Sequence, residues 1–169
     1  ASQTVEFEGT LNVSVTVANG YEFKGWTSDN EKVAGSDVAV YTITVPASDV
    51  TLTAKTALIK YTVSYELDGG ALADGKTNPT EFYVTTEDFT LNNPEKTGYN
   101  FLGWTGSNGN TAETAVTVKK GTFTNLSYTA NWELIPYAIT YDLAGGSVAT
   151  PNATQYYVTT ATFTLNNPT

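Results

Sequence analysis

Tyr61-Thr-Val-Ser-Tyr-Glu-Leu-Asp-Gly-Gly70 sets Tyr61, Val63, Tyr65 and Leu67 in alternation with Thr62, Ser64 and Glu66. That is the period of two of a strand with one wet face, stopped by Asp68-Gly-Gly70. The string returns as Tyr137-Ala-Ile-Thr-Tyr-Asp-Leu-Ala-Gly-Gly146. Likewise Tyr83-Val-Thr-Thr-Glu-Asp-Phe-Thr-Leu-Asn-Asn-Pro94 returns as Tyr157-Val-Thr-Thr-Ala-Thr-Phe-Thr-Leu-Asn-Asn-Pro168. The spacing is a period of about 75 residues, the mark of a repeat architecture. A second echo runs toward the N-terminus: Gly20-Tyr-Glu-Phe-Lys-Gly-Trp26 matches Gly98-Tyr-Asn-Phe-Leu-Gly-Trp104.

Three copies follow from these echoes. Residues 1–58 are an N-terminally incomplete first module that lacks a counterpart of the Tyr61–Gly70 strand. Residues 59–134 are a complete module, and residues 135–169 are the first half of a third, truncated one. In the middle copy, Phe82–Leu91 reads as a strand region interrupted near Thr86–Asp88, and Asn92-Asn93-Pro94 reads as a turn whose proline closes the ladder. Tyr99 and Phe101 open a strand that stops around Gly103-Trp104, ahead of a flexible Thr105–Asn110. Val116–Val118 is a short strand, and Tyr128, Ala130 and Trp132 form a last alternating one. Thr111–Val116 is the best place for a turn or two of helix. The fold class is mainly β.

Composition agrees with that class and removes most chemistries. The formal net charge is -9 and all eight basic residues are lysines, so there is no basic surplus for a phosphate-binding surface and no arginine fork, and nucleic acid is not expected as a partner. With Cys 0 and His 0 there is no thiolate nucleophile, imidazole base, disulfide or Cys/His zinc site. No run of 18 apolar residues exists, which argues against membrane insertion. The acids fall at outward strand positions or in turns, a poor arrangement for a glycosidase pair. Thr27–Glu31, Gly35–Asp37 and Gly106–Asn110 hold Asp and Asn without the spacing of a calcium loop. No catalytic, cofactor or metal site is expected.

The string Asn93-Pro-Glu-Lys-Thr-Gly-Tyr-Asn-Phe-Leu-Gly-Trp-Thr105, together with Tyr61–Gly70 and Leu126-Ser-Tyr-Thr-Ala-Asn-Trp132, resembles the internalin-type B-repeat, also called the Listeria/Bacteroides repeat. Residues 1–58 are similar to its divergent branch through Val45–Ala54, although Thr56 stands where the middle copy has Trp132. The resemblance implies tandem β-grasp, ubiquitin-like modules on bacterial surface proteins, acting as spacers or adhesive segments, and it transfers no catalytic residue.

Trp26, Tyr99, Phe101, Trp104, Tyr128 and Trp132 are expected to be structural core, since a buried indole supplies much of the apolar area of so small a module. An aromatic platform for sugar rings is the competing reading of Trp104 and Trp132. Tyr156 and Tyr157, facing opposite sides of a strand, are the better candidates for binding a host glycan or protein. An internal isopeptide bond would need Lys60, Asn131 and Glu66 or Glu133 together. The joints Ala57–Lys60 and Leu134–Pro136 are short and partly apolar, unlike flexible tethers, so neighbouring repeats are expected to touch in an extended, semi-rigid string. Residues 137–165 should expose edges capable of self-association.

Overall fold

The computed structural model describes residues 6–169, and every regular element among them is a strand. The chain forms two compact units. One comprises Ala1–Thr62, Glu81–Asp88 and Lys119–Asn125, and the other Val63–Thr80, Phe89–Val118 and Leu126–Thr169.

In the first unit, β1 (Thr10–Ser14) pairs antiparallel with β3 (Val40–Thr44), with Leu11 opposite Ile43. β2 (Tyr21–Ser28) pairs antiparallel with β4 (Leu52–Leu58). Their register shifts between Phe23 and Gly25, where Gly25 takes φ 124°; such a bulge turns the strand without losing its inward set. Val33, Ile43 and Phe82 are the buried apolar side chains of this unit. β5 (Tyr61–Glu66) begins here, with Tyr61 and Thr62 opposite Phe82 and Glu81 of β7 (Glu81–Phe82).

In the second unit, the rest of β5 lies parallel to β13 (Leu126–Leu134), Val63 opposite Leu126 and Tyr65 opposite Tyr128. β13 is antiparallel to β10 (Tyr99–Gly106), with Phe101 opposite Trp132 and Trp104 opposite Ala130. The β10–β13 pair repeats the bulge of the first unit, between Phe101 and Gly103. Alternation does the rest: Tyr128 and Ala130 are buried while Ser127 and Thr129 are exposed. Three shorter ladders are also present. β6 (Ala71–Leu72) pairs with β9 (Pro94–Glu95), β8 (Phe89–Thr90) with β12 (Thr117–Val118), and β14 (Tyr137–Ala138) with β15 (Gln155–Tyr156).

Trp104, in the second unit, is fully buried at 0% exposure. Burying that much aromatic surface contributes about 4–6 kcal/mol of transfer free energy before ordering costs.

Several local expectations are corrected. Thr111–Val116 holds no helix, because Gly109–Glu113 is β11, folded back on β10 with Gly106 opposite Gly109 and Trp104 opposite Glu113. The same hairpin carries β10 to Gly106, past the stop expected at Gly103-Trp104. Gly106 at φ 123° and Gly109 at φ 117° supply the backbone its corner needs. Thr105–Asn110 is therefore a hairpin corner, and Asn108 Nδ2 donates to Trp104 O at 2.9 Å. Pro94 does not close the ladder. It opens β9 opposite Leu72, and the first residue of a strand tolerates proline.

Candidate functional site

The conspicuous side chains are aromatic. Trp104 meets Phe101, Tyr65 and Tyr128 edge to face, with ring centroids at 5.5, 5.8 and 6.4 Å, and Phe101 meets Trp132 at 5.3 Å. The polar tips are held as well. Trp104 Nε1 donates to Asn93 Oδ1 at 3.0 Å, Trp132 Nε1 to Leu67 O at 3.1 Å, and Tyr65 Oη to Pro79 O at 2.8 Å. Burial pushes the Tyr65 phenol up to about 12, with a further push from Tyr128, and burial raises Tyr128 too. Trp104 and Tyr128 are buried, whereas Trp26, Tyr99, Phe101 and Trp132 are half-buried.

A shallow cleft of about 400 Å³ opens beside this cluster, lined by Pro94, Lys96, Tyr99, Phe101 and Trp132 among others. Lys96 fills its wall. The ammonium lies 4.2 Å from the Tyr99 ring centroid and 5.7 Å from that of Trp132. It donates to Asp68 O at 2.6 Å and lies 3.4 Å from Asp68 Oδ2. These contacts pin the turn in which Asp68 holds φ 47°. The Trp132 ring therefore has Phe101 against it and a cation over it, which opposes its use as an open stacking face.

Tyr156 and Tyr157 separate. Tyr156 is 40% exposed, and its ring lies 5.4 Å from that of Tyr137 across β14–β15. Tyr157 lies past the end of β15 and is half-buried, so the two do not face opposite sides of one strand. Tyr157 N donates to Thr160 Oγ1 at 2.7 Å and Thr160 N to Tyr157 O at 2.9 Å. Around them Val158, Phe163 and Leu165 are 48%, 43% and 46% exposed. Their middle-copy counterparts Val84, Phe89 and Leu91 are half-buried, half-buried and buried.

The other candidates dissolve into local structure. Lys60 is half-exposed and pairs with Glu81 at 2.8 Å, a contact that raises its pKa. Asn131 Nδ2 donates to Gly103 O and Thr105 Oγ1, each at 3.0 Å. An isopeptide bond needs a buried lysine, and Lys60 is not one. Within Thr27–Glu31, Asp29 Oδ1 accepts from Thr51 N at 2.7 Å, which lowers the Asp29 pKa, and Asn30 Nδ2 donates to Ser48 Oγ and Asp49 O. These acids and amides tie loops together. Among the described residues no three His, Cys, Asp or Glu side chains are grouped to hold a metal ion, and no helix is long and apolar enough to cross a membrane.

Recurring motifs carry recurring backbone bonds instead. Ile59 N donates to Gly20 O at 2.9 Å, and Ile135 N donates to Gly98 O at 3.0 Å. Each bond ends on the carbonyl of the glycine that opens a Gly-Tyr-x-Phe segment. The Tyr83–Thr86 turn is closed by Tyr83 N to Thr86 Oγ1 at 2.9 Å and Thr86 N to Tyr83 O at 2.9 Å, as the Tyr157–Thr160 turn is. Strand alternation marks neither the Gly98 carbonyl nor the Tyr-Val-Thr-Thr turn as a point of contact. The signal was present, because both strings return nearly unchanged between copies.

Comparison with known proteins agrees with the repeat reading. Residues 1–59 match the divergent InlB B-repeat domain, and residues 61–130 match the Listeria-Bacteroides repeat domain. A protein of Evansella cellulosilytica named "Putative membrane protein" is 32% identical over 128 residues, 76% of this chain and 18% of that protein. Another from the same organism, named "Putative Gly-rich membrane protein", is 30% identical over 155 residues, 86% of this chain and 17% of its own length. The chain thus spans under a fifth of either relative. No solved structure matches it.

Proposed function

Residues 1–59 belong to the divergent InlB B-repeats and residues 61–130 to the Listeria-Bacteroides repeats, and from that membership we propose that the chain is a non-catalytic, semi-rigid spacer of a bacterial surface adhesin. In this reading it is extracellular, copy number sets reach, and consecutive β-grasp modules meet near Leu58 and Leu134. The observation that carries it is the recurring joint bond, Ile59 N to Gly20 O and Ile135 N to Gly98 O. A freely jointed tether would have no reason to repeat it. Absence of His and Cys from the sequence, and the use of the aromatic tips in internal hydrogen bonds, support the lack of chemistry.

Exposure of Tyr137, Tyr156, Val158, Phe163 and Leu165 favours a second reading, an adhesive module that engages a host glycan or protein. Arrays of host glycans and matrix proteins probed with the whole chain separate the two. A spacer gives no specific signal, and adding repeats to the chain lengthens its reach. A specific ligand that is lost on Tyr156→Ser replaces the spacer reading by the adhesive one.

A further inference from the structure

Gly20 and Gly98 are both buried, at φ 83° and 79°. A Cβ placed on Gly20 would lie 2.6 Å from Val84 Cγ1 and 2.9 Å from Val84 Cγ2. A Cβ placed on Gly98 would lie 2.5 Å from Val158 Cβ and 2.6 Å from Val158 Cγ1. Both valines are the second residue of a Tyr-Val-Thr-Thr turn, and both glycines open a Gly-Tyr-x-Phe-x-Gly-Trp segment. Only a residue without a side chain lets the valine approach this closely.

We propose that each repeat presents a glycine socket that receives the valine of the next repeat's Tyr-Val-Thr-Thr turn, and that this contact locks consecutive repeats head to tail. The inference rests on the spacer reading and names the surface that stiffens it. Chain length does not dictate the contact. Sixty-four positions separate Gly20 from Val84 but sixty separate Gly98 from Val158, and the same two side chains meet all the same. The knob is stiffened from behind by its threonine-closed turn, and at the first joint Gly121 N also donates to Val84 O at 2.9 Å. The middle repeat carries both halves, Val84 as knob and Gly98 as socket. Such an interface is heterologous, so it has a direction and can be extended by adding copies. The partner that fits a free socket is a further repeat bearing this turn.

The test uses the whole chain, whose lack of cysteine allows unique spin labels. Lys55→Cys with Thr124→Cys reports on the first joint, and Asn110→Cys with Ala149→Cys on the second. Pulsed dipolar spectroscopy reads the distance distribution of each pair, and tryptophan fluorescence checks that each variant is folded. Val84→Ala and Gly20→Ala broaden the first distribution roughly twofold and leave the second alone, as release to a short flexible tether would. Val158→Ala and Gly98→Ala do the reverse. Gly75→Ala is the control for backbone strain alone, since Gly75 has φ 75° and nothing within 4 Å of its would-be Cβ; it leaves both distributions unchanged. The lock is overturned if the valine variants change nothing, or if Gly75→Ala broadens the distributions equally. Narrow distributions insensitive to all variants overturn the lock and keep the spacer. Broad distributions in the unaltered chain overturn both.

Discussion

Trp104 Nε1 donates to Asn93 Oδ1 at 3.0 Å, whereas Trp26 Nε1, at the equivalent place in the first repeat, is buried without a hydrogen-bond partner. The two repeats differ at the residue that aligns with the acceptor. Val15 precedes Trp26 by the same eleven residues that separate Asn93 from Trp104, and a valine has no acceptor to offer. A buried donor left unpaired forfeits its hydration and gains nothing in return. The first repeat keeps its indole for apolar contact with Phe23, at 5.8 Å.

Val15→Asn should therefore stabilise the first repeat by about 0.5–1 kcal/mol, and Asn93→Val should cost the middle repeat about 1–3 kcal/mol. Urea unfolding followed by tryptophan emission measures both. A loss of stability in Val15→Asn with an unchanged emission maximum would show that the Trp26 donor does not reach position 15.

Strand alternation made Tyr61–Glu66, Tyr99–Phe101 and Tyr128–Trp132 legible, because one face of each is wetter than the other and the period of two survives in the letters. The β11 hairpin was hidden. Gly109–Glu113 has little apolar content, so neither its pairing with β10 nor the positive φ at Gly106 and Gly109 leaves a periodic trace. Pro94 misled for a related reason, since a two-residue bridge to Leu72 is too short for a pattern. The joints were half legible. Recurrence of the Gly-Tyr and Tyr-Val-Thr-Thr strings could be seen, but which string meets which is a matter of tertiary contact.

The two bulge glycines should differ in tolerance. A Cβ on Gly103 would lie 2.5 Å from Glu113 N and 2.6 Å from Glu113 C, backbone atoms of a paired strand, while one on Gly25 would lie 3.0 Å from Ser36 O. Both carry the φ penalty, at 129° and 124°. Gly103→Ala should cost about 3 kcal/mol, and Gly25→Ala about 1–2 kcal/mol. Denaturant midpoints of the two variants check the order, and equal losses would mean that backbone strain, not the clash with β11, sets the cost.

Asn78 and Asn92 clasp each other: Asn92 N donates to Asn78 Oδ1 at 2.7 Å, and Asn78 Nδ2 to Asn92 O at 3.0 Å. Asn152 and Asn166 repeat the clasp at 2.6 and 3.0 Å. Asn152 and Asn166 are thereby structural parts. Asn78→Ala should speed hydrogen exchange at the Asn92 amide about tenfold, the equivalent of one lost bond of some 1.4 kcal/mol, and Asn152→Ala should do so at Asn166. Unchanged exchange at these amides would mean that water replaces the clasp without loss.

Alkaline pH should destabilise the second unit through Tyr65. Its phenol titrates near 12 in the fold against 10.0 for the free group, chiefly because burial disfavours the phenolate. Below pH 10 both states keep the proton, so the group adds no pH dependence. Between pH 10 and about 12 the unfolded chain releases a proton that the folded chain retains, and stability falls as pH rises. Tyr128 adds to the decline in the same direction, since its pKa is also raised by burial. Lys60 and Lys120, held protonated by Glu81 and Glu87, lose their pairs as pH rises, so a variant must isolate the phenol. Tyr65→Phe gives up the bond to Pro79 O, about 1 kcal/mol at neutral pH, and flattens the decline above pH 10. Urea unfolding at several alkaline pH values measures that slope. Parallel curves for Tyr65→Phe and the unaltered chain would place the alkaline sensitivity on the lysine pairs or Tyr128 instead.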